Sequence, residues 1–396
     1  MNGNTVLVTG GSHAELPMIK ALHEMGFRVI TTGNNTEGLG HKEADEYVPG
    51  DFSDPAFVLE LAKEKKVSGI VSGCNDFAYL STAYAAQELG LPGHDDHETS
   101  KDIHHKDRFR SLCKKCGARI PDFFSFTKPE GTRDRCEGLG YPLIIKPIDL
   151  TGGKGVRICH DYREVMEAFE EARRWSRQPR FLAEQMIQGE NHGVSALVVK
   201  AEVRFAFFDN EEYYLNPYLV SGAYYPSSLT EETKHMIIRD IERISAQAGL
   251  VDGLFHCQCI VQEDGTPYLI DPCRRAPGDL YLKLVELGTG IPYARFIVQA
   301  ELGLGLEEAL QGIVPQENCI ARECIMASEN GRVERIVIEE ELKQYVTESL
   351  IWGNIGEIIE DYMKYKAGIV FFSFPSRDVM EKALARLRSD MRIEVS

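Results

Sequence analysis

The sequence predicts a multidomain protein that combines α/β and α+β architecture. Three observations predict it. The chain opens with strands and helices in alternation, the pattern of a doubly wound parallel sheet. Its middle holds two apolar strands joined by a glycine-rich loop that carries a lysine. Its later part is rich in strands, among them a hairpin whose return strand runs into two arginines. With 396 residues the chain exceeds what one simple core organises, so two to four domains are expected.

The opening elements are read in order. Thr5-Val6-Leu7-Val8-Thr9 is a strand, and Leu16 to Met25 has helical apolar spacing closed by Gly26. Arg28 to Thr32 is the second strand. Asp54 to Lys65 reads as a helix with Ser53 as its cap, and Ser68 to Ser72 as a strand. Asp76 to Leu89 is a helix that stops at Gly90 before Pro92. Residues 1–95 thus form a small α/β domain. Its first turn, TGGSHAEL, lacks the third glycine of a dinucleotide fingerprint, and Thr32-Gly33-Asn34 stands where an acidic ribose contact belongs. An NAD(P) oxidoreductase is therefore a reading motivated by VLVTGG alone. The turn still lies where helix N-termini meet ligands. Ser12, with Gly11 and Glu15, is a candidate substrate contact, and Asp76 beside Asn75 opens another helix over the same strand ends.

Ser100 to Gly117 reads as a helical hinge segment containing Lys106, with Phe109, Leu112, Cys113 and Cys116 at helical spacing. Arg133 to Leu139 is a short helix before Gly140. Tyr141 to Val156, YPLIIKPIDLTGGKGV, comes next. Branched apolar residues up to Ile145 make a buried strand that ends at Lys146. Gly152, Gly153, Lys154 and Gly155 form the loop, and Val156 to Cys159 resumes strand chemistry. Glycines let backbone N–H groups converge on an anion, and a lysine adds a point charge suited to phosphate. Taken alone, the loop fits a phosphate flap and an ordinary mobile hairpin equally well. It is not a Walker loop, because a strand follows it rather than a helix.

Asp161 to Arg174 is an amphipathic helix. Phe181 to Ile187 is a strand leading to Gln188-Gly189-Glu190-Asn191, and strands follow at Val194–Val199 and Val203–Phe208. Residues 209–228 show no period. They hold Tyr213, Tyr214, Tyr218, Tyr224 and Tyr225 and read as a long loop. Thr230 to Ala248 is a helix. Leu254–Gln262 and Tyr268–Asp271 form a hairpin that sets Gln258 opposite Asp271, a few residues from Arg274 and Arg275. Oxygen ligands of this kind suit Mg²⁺, and arginines at that mouth suit a phosphoryl group or carboxylate. A surface hairpin with a local Asp–Arg pair fits the same residues. Helices at Leu280–Leu287 and Tyr293–Leu302 follow. Strands come near Ile320–Ala327 and Val333–Ile338, then a last strand–helix–strand over Gly368–Phe374, Arg377–Arg388 and Met391–Val395.

Bulk properties bound the partners. Formal net charge is −17, which disfavours nonspecific binding to nucleic acid or an anionic membrane. No apolar run approaches the ~20 residues that cross a bilayer. The N-terminal residues enter a strand without a charged signal region, so the expectation is a cytoplasmic enzyme. The ten cysteines are scattered, and no second pair stands at zinc-knuckle spacing to Cys113/Cys116, which favours buried reduced thiols.

In sequence order the motifs are the Lys106 helix, Lys146 with its GGKGV loop, Glu184-Gln185-Met186-Ile187 with Gly189-Glu190, and Gln258…Asp271-Pro-Cys-Arg-Arg. Together they resemble the ATP-grasp superfamily of carboxylate–amine ligases, in its branch with biotin carboxylase and carbamoyl phosphate synthetase. The resemblance covers nearly the whole chain. It implies a small pre-ATP-grasp domain over residues 1–95 and a two-lobed ATP-grasp domain over 96–310. The glycine-loop lobe would span about 120–187 and the metal and substrate lobe about 188–310, with a closing β-rich α+β domain at 311–396. It implies ATP and Mg²⁺ as cofactors. Lys106, Lys146, Gly152, Gly153, Lys154 and Gly155 would serve the phosphates. Glu184, Gln185 and Ile187 would edge adenine, and Glu190 or Asn191 the ribose. Asp271 and Gln258 would hold metal, Arg275 the phosphoryl group, and Arg274 a substrate carboxylate. It further implies small-molecule carboxylate and amine substrates joined through an acyl-phosphate, and a homodimer, since dimers are common in that family. The sequence departs from the family at two places. Gln258 replaces a glutamate, and Cys273 replaces the asparagine of an E-x-N-x-R pattern. Those departures bear on a second metal ion, and they motivate the alternative of a catalytically reduced nucleotide-binding regulatory or scaffold protein.

Overall fold

The computed structural model describes residues 4–148, 155–176 and 180–396. The chain packs as two compact units. Residues 1–207, 229–276 and 295–311 make the first, and 208–228, 277–294 and 312–396 make the second. The boundary expected at 95/96 lies inside the first unit, and residues 312–396 of the expected closing domain lie in the second.

The first unit opens with a four-stranded parallel sheet in the order 46–49, 28–33, 5–9, 69–72. Val6, Leu7, Val8, Val29 and Ile30 are fully buried, as expected for strands covered on both faces. The helix Asp76–Leu89 packs closely because Ala78, Ala83, Ala85 and Ala86 all face inward. Gly90 closes it at φ 66, a left-handed turn that glycine adopts without a Cβ penalty. The helix Pro55–Lys65 is capped by Asp54 rather than Ser53. The Asp54 carboxylate accepts from Ala56 N–H at 2.9 Å, and Pro55 takes the first helical position, where no N–H is needed.

A second sheet in this unit is antiparallel, in the order 123–126, 181–185, 143–147, 157–159. Its core is Phe124, Phe126, Leu143, Ile145, Val165, Phe169 and Phe181, with Phe169 and Phe181 ring centroids 4.7 Å apart. Truncating either ring to alanine should cost about 3–5 kcal/mol. The helix Tyr162–Ala172 lays Val165, Ala168, Phe169 and Ala172 on that core, the face its spacing predicts. The hairpin strands Gly253–Val261 and Pro267–Cys273 pair with Gln258 opposite Asp271, and Glu190–Val199 runs antiparallel along Gly253–Val261.

The second unit corrects the reading of residues 209–228 as a long loop. Glu202–Tyr213 is a strand that enters this unit, and Val220–Tyr225 pairs with it, leaving a short connection. Val220–Tyr225 then pairs with Cys319–Met326, that strand with Lys366–Phe374, and that one with Val346–Ile351. The expected last helix is broken into Arg377–Leu384 and Leu387–Asp390. All ten cysteines are free thiols, seven of them buried. Among the described residues no helix is long and apolar enough to cross a membrane.

Candidate active site

The candidate site is assembled within the first unit from three pieces of backbone. Lys106 is the first residue of the helix Lys106–Cys116, Lys146 lies on the strand Leu143–Pro147, and Asp271 lies on the return strand of the hairpin. Lys106 Nζ reaches Asp271 Oδ1 at 3.1 Å, and Lys146 Nζ reaches Glu184 Oε2 at 2.6 Å. Two ammonium groups from different elements are therefore held by carboxylates in one region. Burial, the largest single influence on Lys106, opposes its charge, yet Asp271 and Asp76 together outweigh burial and leave its pKa raised.

Glu184 is 1% exposed and sits in the strand Phe181–Gln185. Burial pushes its pKa up, but Arg110 and Lys146 prevail and lower it to about 2. Arg110 is a residue that the sequence reading missed. Its Nε donates to Glu184, and its Nη2 donates to the carbonyl of Ile270 at 2.7 Å. One guanidinium thus ties the Lys106 helix to the Glu184 strand and to the residue before Asp271. A signal was present. Lys106, Arg110 and Cys113 follow one another at i, i+4 and i+3, so they share a helix face.

Of the other expected nucleotide contacts, Gln185 is exposed at the strand end. Its N–H goes to the carbonyl of Asp122 at 2.9 Å, and that of Met186 to Pro142 at 3.2 Å. Ile187 is buried. Glu190 and Asn191 begin the strand Glu190–Val199 in successive positions, which turns their side chains to opposite faces, and Glu190 is largely exposed. Gly152, Gly153 and Lys154 lie outside the described residues. Gly155 adopts φ 71 against Pro147, where an added Cβ would come within 2.8 Å of the proline ring.

The two arginines after Asp271 diverge. Arg275 Nε donates to Asp76 Oδ1 at 2.9 Å. Asp76 also receives His104 Nδ1 at 3.1 Å. The backbone N–H of Arg274 donates to His104 Nε2 at 3.2 Å, which fixes the imidazole proton on Nδ1. Burial raises the Asp76 pKa, but Arg275, His104 and Lys106 prevail and hold the carboxyl well below the usual range. Asp76, expected as a substrate contact, is thus the partner of Arg275. Arg274 departs further from expectation. It is 4% exposed, with Nε on Asp95 at 2.8 Å, Nη2 on the carbonyl of Val251 at 2.6 Å and Nη1 on that of Leu254 at 2.5 Å. Every guanidinium nitrogen is engaged inside the protein, which makes this a structural anchor rather than a clamp for a substrate carboxylate.

The metal candidates differ in fitness. The Asp271 side chain is 42% exposed, and Gln258 faces it across the hairpin. Cys273 is buried. Its Sγ donates to the carbonyl of Arg275 at 3.4 Å, and burial pushes its pKa up to about 11, so it stays a thiol at neutral pH. Among the described residues no group of three or more His, Cys, Asp or Glu side chains is placed to hold a metal ion. A carboxylate and an amide fit a hard cation that takes its remaining ligands from phosphate and water.

A separate cleft of about 220 Å³ opens over the C-terminal ends of the parallel strands. Ser12 lines it together with Glu15 and Asn75. Ser12 Oγ donates to Glu15 Oε2 at 2.6 Å.

Comparison with known proteins agrees with this architecture. Residues 139–280 match the ATP-grasp domain. The chain is 24% identical over 310 residues to the C-terminal section of the carbamoyl phosphate synthase large chain of Methanopyrus kandleri, covering 75% of this chain and 56% of that one. It therefore spans about half the length of that relative, and 27–29% of full-length large chains that it also matches. Among solved structures it is similar to an L-amino acid ligase from Bacillus licheniformis, with TM-score 0.84 and 23% identity over 100% of this chain and 99% of that one. It is also similar to the biotin carboxylase domain of a 2-oxoglutarate carboxylase from Hydrogenobacter thermophilus, solved with MgADP and bicarbonate. There the TM-score is 0.80 and identity 19%, over 99% of this chain and 91% of that one.

Proposed function

Starting from the ATP-grasp domain that this chain carries, we propose that the protein is an ATP-dependent carboxylate–amine ligase. It would form an amide or peptide-like bond through an acyl-phosphate and release ADP and phosphate. The observation that carries this reading is the convergence, in one unit, of Lys146 on Glu184 and Lys106 on Asp271, with Arg275 on Asp76 nearby. Each cation is held by a carboxylate, so the site is preorganised for a polyanion rather than assembled by it.

The chemistry needs these groups. A carboxylate is a poor electrophile, and an amine does not displace its oxygen at neutral pH. Phosphorylation converts that oxygen into a leaving group, and charge neutralisation is the protein's main contribution to phosphoryl transfer. Lys146 and Lys106 would meet the phosphates from two sides. Gly152 to Gly155 would close over them and keep water from the acyl-phosphate. Glu184, Gln185 and Ile187 would edge adenine, with Glu190 or Asn191 at the ribose. Arg275, aimed by Asp76, would hold the phosphoryl group. Magnesium, supported by the MgADP of a structural neighbour, would sit at Asp271 with help from Gln258 and would supply positive charge to the phosphates. Cys273 as a buried thiol favours one ion at this place over two.

The same thiol and Gln258 favour one second reading, a nucleotide-binding regulatory or scaffold protein with reduced catalysis. A substrate screen separates the two. The ligase reading expects ADP release only when ATP, Mg²⁺, a carboxylic acid and an amine are all present. No such release across broad acid and amine panels, together with ATP binding indifferent to Mg²⁺, would establish the second reading instead.

A further inference from the structure

We propose that His104 is a positioning residue: by bridging the backbone of Arg274 and the carboxylate of Asp76, it fixes where Arg275 presents its guanidinium. The inference rests on the ligase reading for what Arg275 does there, while the bridge itself stands on geometry within the first unit.

Two helices and one strand end meet at this place. Asp76 opens the helix Asp76–Leu89 and Tyr79 stands three residues on, so the two face the same way. His104 ends the helix His97–His104, whose start is held by the Asp96 carboxylate on the N–H groups of Glu98 and Thr99 at 3.0 Å each. The His104 side chain is 1% exposed and stacks on the Tyr79 ring, with centroids 4.7 Å apart and planes inclined by 19°. From this stacked pair two arms reach the arginines that follow the strand Pro267–Cys273. Tyr79 Oη donates to Asp95 Oδ2 at 3.2 Å, and the same oxygen accepts from Arg274 Nε at 2.8 Å. His104 Nδ1 donates to Asp76 Oδ1 at 3.1 Å, and that oxygen accepts from Arg275 Nε at 2.9 Å. The Arg274 side chain is 2% exposed and the Arg275 side chain 18%. The first arm therefore locks an anchor, and the second aims a group that still reaches solvent.

The imidazole also joins the two arms. Arg274 N–H donates to His104 Nε2 at 3.2 Å, so the ring accepts on one nitrogen and donates from the other. Only a neutral ring with its proton on Nδ1 does both. The two bonds differ in consequence. Losing the acceptor frees one N–H of a residue that stays tied through three guanidinium bonds. Losing the donor leaves the Asp76 carboxylate free to turn, and Arg275 Nε turns with it. The Asp76 side of the ring is thus the side that sets Arg275. A histidine that only filled space would matter equally on both sides.

The test separates the two nitrogens. In His104→Asn the amide nitrogen stands near Nδ1 and donates to Asp76. In His104→Gln the amide oxygen stands near Nε2 and accepts from Arg274 N–H. On the intact, isotope-labelled chain the Arg275 Nε–H resonance, identified by its disappearance in Arg275→Lys, reports the bond to Asp76. His104→Asn should keep that resonance at its wild-type position, and His104→Gln should shift it and speed its exchange with water. Kinetics follow with any acid–amine pair that supports ADP release. His104→Gln should lower kcat about 10- to 100-fold with KM for ATP within about threefold, and His104→Asn should keep kcat within about threefold. In an Arg275→Lys background His104→Gln should cost no further kcat, because the group it aims is gone. If His104→Gln does not fold, His104→Phe, which keeps the stack on Tyr79 and lacks both nitrogens, carries the same expectation. An unmoved Arg275 resonance in His104→Gln, equal losses in the Asn and Gln variants, or additive effects with Arg275→Lys would each overturn the proposal. If no acid–amine pair supports ADP release by the wild type, the ligase reading fails and the Nε–H resonance still decides the role of His104. If ADP release requires acid and amine but the Asn and Gln variants match in kcat, the positioning role fails and the ligase reading stands.

Discussion

Glu184 in the first unit and Glu323 in the second are buried to the same degree, at 1% and 0% exposure, yet their pKa values are shifted in opposite directions. Burial is the largest influence on both, and it favours the protonated acid in each. Glu184 meets two cations, Arg110 and Lys146, one on each carboxylate oxygen, and its pKa falls to about 2. Glu323 lies in a cross-strand row with Gly222 and Glu212, and its carboxylate fills the space above Gly222, where a Cβ would come within 2.1 Å of Oε2. Its cation contact is Arg388 Nη2 at 3.2 Å, Oε1 has no hydrogen-bond partner, and its pKa is pushed well above the usual carboxylate range. Asp209 in the same unit is raised to about 7 by burial and by Glu211. The ratio of cations to acids, not depth, sets the charge. The contrast is one of sites and not of whole units: Glu301, also in the first unit and bonded by Ser72 N–H and Oγ, is likewise pushed up to about 7 by burial, and Asp279 in the second unit is paired with Lys366 at 2.5 Å.

The sharpest way to break this contrast is to remove a cation from the first unit. Lys146→Ala should reduce ATP-dependent turnover by a factor of about 10³, equivalent to about 4 kcal/mol of lost stabilisation. Glu184 would keep Arg110, so far-ultraviolet circular dichroism should be unchanged. Unaltered turnover and ATP affinity in that variant would remove Lys146 from the site. Arg110→Met should act more through the fold. It leaves Lys146 on Glu184 but cuts the tie to the Ile270 carbonyl, and removing one partner of a buried ion pair typically costs about 3–5 kcal/mol. Urea denaturation measures that loss. Arg110→Lys should recover part of the stability but not the reach to Ile270. A wild-type unfolding midpoint in Arg110→Met would mean that Glu184 needs only one cation.

How far these features could be read from the sequence varies with their physics. The doubly wound opening was legible because buried strands and helices leave periodic apolar patterns, and the pairing of Gln258 with Asp271 followed from the hairpin turn at Asp264-Gly265. The strands within 209–228 were not legible. Asp209-Asn210-Glu211-Glu212 carries charge on both faces of a strand, and burial of Asp209 at 0% exposure depends on Tyr281, far along the chain. Local propensity holds no trace of such a partner. Asp54 displaced Ser53 as a cap by a shift of one residue, within the usual uncertainty of helix ends. Arg274 and Arg275 are adjacent in sequence and opposite in role. Both follow the end of the strand Pro267–Cys273, in a bend with no repeating side-chain alternation, and only the fold shows that one side chain meets Asp95 and the other Asp76.

The gentlest test of the contrast is its pH dependence, because the contributions of the two glutamates should be lost in opposite directions. For Glu184 the folded pKa lies below the unfolded value of about 4.5. Its contribution is complete above that value and is lost as pH falls through 4.5 toward 2. For Glu323 the folded pKa lies above the unfolded value. The folded state then binds a proton that the unfolded state has released, so stability is greatest below about 4.5 and declines as pH rises toward the folded pKa. Glu323→Gln keeps the shape and an acceptor for Arg388 but cannot ionise. Between pH 5 and 8 its melting temperature should therefore rise relative to wild type as pH increases, by a degree or a few, on the order of 1 kcal/mol. Calorimetry of both proteins across that range measures the difference. A constant offset between them would place the Glu323 proton on the unfolded chain's schedule and give Arg388 and Arg322 enough weight to keep the acid ionised.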